Sequence, residues 1–150
     1  SLRKVIAETG FAAAFGQHSG AAGETADHLA LPRFPLNESY GGLDRFRLVA
    51  NALPLPVEGL TPADPSVAGP SANPPIVGFT VAASITNLDA LNCFASAGAV
   101  EIQRIDQRIE LRFDGPLPAG RVRINCTLPA EGGRWRWFGT QFVVAKGAVR

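Results

Sequence analysis

The chain has 150 residues, of which 46% are hydrophobic and 18% charged, with a formal charge of +1. Such a composition can bury a core, which excludes wholesale disorder and collagen-like or coiled-coil fibres. So even a charge balance gives no field to gather phosphate backbones, and nucleic acid is not expected as a partner.

No apolar run approaches the ~18 residues of a membrane-spanning helix, and the N-terminus lacks the basic-then-apolar layout of a signal peptide. Methionine occurs nowhere, so the chain reads as a processed or trimmed product with more polypeptide expected before Ser1. Ser1 is placed to cap a helix through Leu2, Val5 and Ile6, with Gly10 as a left-handed stop. Phe11 to Phe15 is a continuous apolar run, the pattern of a strand buried on both faces of a parallel sheet. Leu31 to Leu36 reads as a second strand, confined by Pro32 and Pro35 to an edge. Phe46, Val49, Ala50 and Leu53 recur at helical spacing, predicting a helix over 43–53 that Pro54 ends. A parallel pair needs neighbours from further βα units, so residues 1–53 are expected to be the terminal αβ element of a larger α/β domain.

Seven of the 12 prolines (54, 56, 62, 65, 70, 74 and 75) fall in residues 54–75, which reads as a linker or an extended wrap. From residue 76 onward the period changes to two. Ile109, Leu111 and Phe113 alternate with charged residues, and so do Val122, Ile124, Cys126 and Leu128 with polar ones. With candidate strands over 76–82, 91–96, 100–105 and 135–144, residues 76–150 are expected to form a mainly antiparallel, immunoglobulin-like β-sandwich. Cys93 and Cys126 both fall in strands, where one disulfide could pin the two sheets together; two reduced, buried thiols are the other reading. Two cysteines this far apart do not suggest a zinc site.

No nucleophile elbow, His-Glu-x-x-His motif, paired carboxylates or phosphate-cradling loop is present. His18-Ser19 and Asp27-His28 could make a nucleophile and base, but histidines in a Gly/Ala-rich loop read first as surface residues. The cluster that stands out is Arg134-Trp135-Arg136-Trp137-Phe138, with Arg121 and Arg123 on the strand expected beside it. Indole faces flanked by planar donors suit a sugar ring, which makes Trp135, Trp137, Arg134 and Arg136 candidate sugar-binding residues. The alternative is that both indoles fill the sandwich core. Periodicity puts the two tryptophans on one face and the two arginines with Phe138 on the other.

Taken together, residues 1–11 (SLRKVIAETGF), 14–20 (AFGQHSG) and 31–38 (LPRFPLNE), continuing through Tyr40-Gly41, Arg45-Phe46 and Asn51 to Leu55, resemble the end of a bacterial polysaccharide deacetylase domain of the nodulation-factor and chitin deacetylase kind. The resemblance covers about 55 residues well, the remainder loosely. It implies a distorted β/α barrel that deacetylates N-acetylated sugar polymers with a divalent metal, zinc or cobalt, held by one aspartate and two histidines. The family's Thr-Phe-Asp-Asp, His-x-x-x-His and Arg-x-Pro-Tyr-Gly motifs do not occur here, so no metal ligand or cofactor is assigned to this chain. Where the family carries a late leucine-histidine pair, this sequence reads Leu29-Ala30-Leu31-Pro32 after His28. The expected organisation is therefore a deacetylase remnant over 1–53, a Pro-rich linker over 54–75 and an accessory sandwich over 76–150. The implied partners are a polysaccharide and an upstream catalytic barrel in the same polypeptide, with no membrane span. The expected location is periplasmic or extracellular, and alternatives for the function are a carbohydrate-binding module or a non-catalytic structural sandwich.

Overall fold

The computed structural model describes residues 2–149, the side chains of Leu2 and Arg3 excepted, so the expected cap at Ser1 lies outside the described residues. Among the described residues come two α-helices, α1 (Leu2–Glu8) and α2 (Leu43–Ala50), and nine strands. The strands are β1 (Leu53–Pro54), β2 (Val57–Thr61), β3 (Ser66–Val67), β4 (Val77–Val81), β5 (Asn92–Ala95), β6 (Glu101–Ile105), β7 (Arg108–Arg112), β8 (Gly120–Pro129) and β9 (Trp135–Val144).

The strands form two sheets. One has the order β2-β4-β7-β6, antiparallel throughout. The other runs β1-β9-β8-β5, antiparallel except that β1 and β3 both lie parallel to β9. Their facing sides make the core. Val77, Phe79 and Val81 of β4 and Ile109 and Leu111 of β7 meet Val122, Ile124, Cys126 and Leu128 of β8 and Phe142 and Val144 of β9. The period-two pattern dictates this, because alternate residues of a strand point to opposite faces and only one face can leave water. All six strands expected after residue 76 are present within two residues of their expected ends.

The Pro-rich stretch is the extended wrap and not a free spacer. Its Val57–Thr61 is an edge strand of the four-stranded sheet, its Ser66–Val67 pairs with β9, and Leu55 and Val67 are core residues. The sandwich therefore begins near residue 53, ahead of the expected boundary at 76. Prolines are compatible with this because edge strands leave one row of N–H groups unpaired. Asn73 fastens the wrap from inside: its Nδ2 donates to the carbonyls of Leu117 and Ala148, and its Oδ1 accepts from the Leu117 N–H.

Cys93 and Cys126 are joined, as one sequence reading held, but the bridge does not link the two sheets. The residues are direct partners on β5 and β8, neighbours in one sheet, with Cα atoms 4.0 Å apart. That spacing belongs to the closely approaching, non-hydrogen-bonded type of antiparallel pair. Both sulfurs face the core, which hides the placement from sequence: inward parity is the same whether the partner lies beside a strand or across from it.

The N-terminal segment departs most from expectation. Gly10 ends α1 with φ +80°, as read. However, residues 11–15 form no buried strand: Phe11 is 64% and Phe15 72% exposed, and the pairing of Phe15 with Leu31 is a single parallel bridge. Four backbone hydrogen bonds extend this contact, from Ala14 N to His28 O, Leu31 N to Ala14 O, Gly16 N to Leu31 O and Arg33 N to His18 O. The chain is thus held in parallel register without becoming a sheet, since neither side has a further strand to pair with. Between residues 4 and 54 only Gly20 is buried. The second helix stops at Ala50, three residues short of Leu53, where Asn51 Nδ2 donates to Arg47 O and the chain turns extended to enter β1.

Candidate functional site

β9 splits the candidate residues between two places. Phe138 pairs with Cys126 and packs on Phe79 at 4.9 Å between ring centroids, so its parity faces the core. Trp135 and Trp137, opposite Pro129 and Thr127, therefore lie on the outer face of the five-stranded sheet, and both are half-buried. They are not in the sandwich core, and Trp137 is not an open platform either. Phe34 meets its ring edge-on at 5.1 Å, the Arg45 guanidinium lies 5.2 Å from its centroid and 5.7 Å from that of Phe34, and its Nε1 donates to Asn125 Oδ1. Arg45 Nε is buried without a hydrogen-bond acceptor, so the stacking compensates only in part for that lost hydration.

This aromatic stack is where the N-terminal segment docks. Beside it, Ser19 runs so close to Gly139 that a Cβ there would overlap its carbonyl oxygen. Gln17 Oε1 accepts a hydrogen bond from Arg121 farther along β8. Gly139 is a glycine for space, because a sheet face can carry another chain at backbone distance only where a side chain is missing. Neither Phe34 nor Arg45 stood out as a functional residue from sequence. Phe34, framed by Pro32 and Pro35, is the one with a readable signal.

Arg136 shares the inward parity of Phe138, opposite the core residue Leu128, and Arg134 lies just ahead of β9 at the end of the sandwich. There they flank an open groove of about 640 Å³ between Leu53, residues 84–87 and the turn at 129–131. Each guanidinium donates to a backbone carbonyl of the segment entering β1: Arg134 Nε to Asn51 O at 2.9 Å, Arg136 Nη1 to Pro54 O at 3.2 Å. The groove walls are tied by Asn87 Nδ2 donating to Pro129 O. Hence the structure brings Arg134 and Arg136 together and sets Trp135 and Trp137 on a different face.

His18, within the docked segment, is half-buried, and this desolvation lowers its pKa below the usual imidazole value while the Asp27 carboxylate acts in the opposite direction. His28 is exposed. Among the described residues no three His, Cys, Asp or Glu side chains are grouped as a metal ion requires. The side chains present therefore do not supply the aspartate and two histidines that the resemblance implies. Among the described residues no helix is long and apolar enough to cross a membrane. No protein-family model matches the chain, and no curated protein does.

Proposed function

We propose that this chain is the C-terminal part of a polysaccharide deacetylase-like hydrolase acting on N-acetylated sugar polymers. In this reading residues 1–53 complete a catalytic barrel whose metal ligands lie elsewhere in the polypeptide, and an immunoglobulin-like sandwich follows as an accessory unit. The observation that carries it is the state of the N-terminal segment. It holds a parallel strand contact between residues 14–16 and 28–31, while Phe11, Phe15, Leu36, Tyr40, Leu43 and Phe46 are all about half exposed or more. All-parallel sheets occur almost only with both faces covered, and a parallel contact beside bare apolar neighbours fits the rim of such a larger α/β layer. The sandwich needs no such completion, since its core is closed on itself.

The strand orders β2-β4-β7-β6 and β9-β8-β5 support the immunoglobulin-like assignment, because they correspond to the ABED and GFC sheets of that fold. The disulfide supports an exported location, periplasmic or extracellular, where such bonds persist. The test compares the product of the complete gene with the 150-residue chain, measuring acetate release from N-acetylglucosamine oligomers with added zinc or cobalt. Activity in the longer protein and none in the chain is expected. A complete protein that lacks the aspartate and histidine motifs, or that releases no acetate, rejects the reading.

A further inference from the structure

The groove at the end of the sandwich has the features of a built binding site for an acidic ligand. Residues 99–150 carry nine basic and five acidic side chains, and Arg134 and Arg136 bring two of those positive charges to one rim. Arg136 lies on β9 and Arg134 just ahead of it in extended backbone, so the two are separated by about 6.5–7 Å along the chain and both border the groove. Each has one N–H engaged by a backbone carbonyl, which orients the guanidinium without neutralising it. An arginine has five donors, so most remain available. Among the described residues no carboxylate lies within ion-pairing distance of either one. Glu131 is the acidic residue of the lining, and it is exposed.

The rest of the lining decides what kind of anion fits. Leu53 and Pro129 offer apolar surface, Thr86 offers a hydroxyl, and the Asn87 amide has its nitrogen engaged by Pro129 O, which leaves its Oδ1 as an acceptor. Apolar patches beside directional donors and acceptors are what a sugar ring requires, with its C–H face and its rim of hydroxyls. The volume, about 640 Å³, lies within the ~300–1,000 Å³ typical of small-ligand sites. A bare inorganic anion would leave most of it empty. An amino sugar carrying an ammonium would meet two like charges.

We infer that this groove binds an acidic saccharide, with a sugar carboxylate held by Arg134 and Arg136 and the ring resting against Leu53 and Pro129. Planar guanidiniums match a carboxylate in two parallel hydrogen bonds, which gives orientation as well as charge. The tie from Asn87 to Pro129 holds the two walls together before any ligand arrives, so little ordering cost attaches to binding. Acidic-saccharide binding at this place stands or falls independently of any amide hydrolysis by the complete protein.

The experiment titrates the isotope-labelled chain with tetragalacturonate, with the neutral N-acetylglucosamine tetramer and with inorganic phosphate, following the amide resonances of residues 84–87 and 129–136 by NMR. Saturable shifts with tetragalacturonate alone are expected, weakening as salt is raised. Arg134→Gln combined with Arg136→Gln should raise the Kd at least tenfold. Because those arginines also hold Asn51 and Pro54, Glu131→Gln provides a second variant that removes no hydrogen bond seen in the structure. It should tighten binding about two- to threefold by removing a like charge. The inference is overturned if tetragalacturonate produces no saturable shift at millimolar concentration, or if the neutral tetramer or phosphate binds there as well as the polyuronide. It is equally overturned if neither variant changes the affinity while the spectrum stays native.

Discussion

Replacing Gly139 by alanine tests whether residues 15–35 are truly seated on the five-stranded sheet. The added Cβ would overlap the Ser19 carbonyl oxygen, stand 3.0 Å from its carbon and 3.2 Å from Asn125 Oδ1. Two of those neighbours are backbone atoms and Gly139 lies inside a long strand, so neither chain can yield by rotating a side chain. The relief is for the segment around Ser19 to lift off. Lifting forfeits the Gln17–Arg121 hydrogen bond, the edge contact of Phe34 on Trp137 and the stacking of Arg45 on both rings. Aromatic pairs are worth about 0.5–1.5 kcal/mol and exposed cation–π contacts about 0.5–1 kcal/mol, so roughly 2–3 kcal/mol of docking free energy is at stake. That falls within the ~1–3 kcal/mol usual for overpacking. It corresponds to a shift of about 30- to 150-fold toward the lifted state. Trypsin reads that population directly. In the docked form Arg33 is held by its N–H on His18 O and its Nε on Gly16 O, and cleavage after it should accelerate by a comparable factor in Gly139→Ala. Trp137 emission should move to longer wavelength as Phe34 departs. Gly147→Ala, whose Cβ would meet nothing within 4 Å, serves as the control. Unchanged cleavage and emission in a folded Gly139→Ala protein would refute the docking argument.

Three other perturbations reach separate parts of the molecule. Cys93→Ala with Cys126→Ala opens a bridge spanning 33 residues, and the chain-entropy estimate is a loss of about 3–4 kcal/mol, measured as a lower urea midpoint of the double variant. Asn73→Ala strands the Leu117 N–H and two buried carbonyls, so stability should drop by about 2–4 kcal/mol in the same titration, while Ser71→Ala, exposed one turn away, should change little. His18 has its pKa lowered by burial, so the unfolded chain takes up the proton first as pH falls. Stability from this group is therefore complete above the unfolded value near 6.5 and declines as pH falls from there toward the lower folded value. NMR titration of the imidazole should place its midpoint below 6.5, Asp27→Asn should move it lower still, and His18→Asn should remove that part of the pH dependence.

The β-strands after residue 76 were legible because half-burial imposes a period of two, and residues such as Ile109, Leu111, Val122 and Ile124 obey it without exception. The same periodicity correctly separated Trp135 and Trp137 from Arg134 and Arg136. It could not say what covers the outer face of β9, since Phe34 and Arg45 come from about 100 and 90 residues earlier and no local pattern announces the encounter. The run from Phe11 to Phe15 misled for a related reason. An apolar stretch reports that burial would be favourable, not that a partner is present to provide it, and here the rings remain exposed. The Pro-rich stretch was opaque because prolines mask a strand whose alternation, in Val57 to Thr61, is only five residues long and interrupted by Gly59 at φ +59°.

Local alternation, turn chemistry and composition were enough to establish a β-sandwich with its inward residues, the stop at Gly10 and the two faces of β9, since each depends on neighbours within a few residues. Tertiary structure alone decided that the disulfide joins strands of one sheet, that the proline stretch supplies two strands, that Trp137 is covered by the N-terminal segment and that two arginines converge on a groove. The physical reason is common to all four. Parity tells a side chain which way to face, but what it meets there is set by segments distant in sequence, brought together only when the whole core closes.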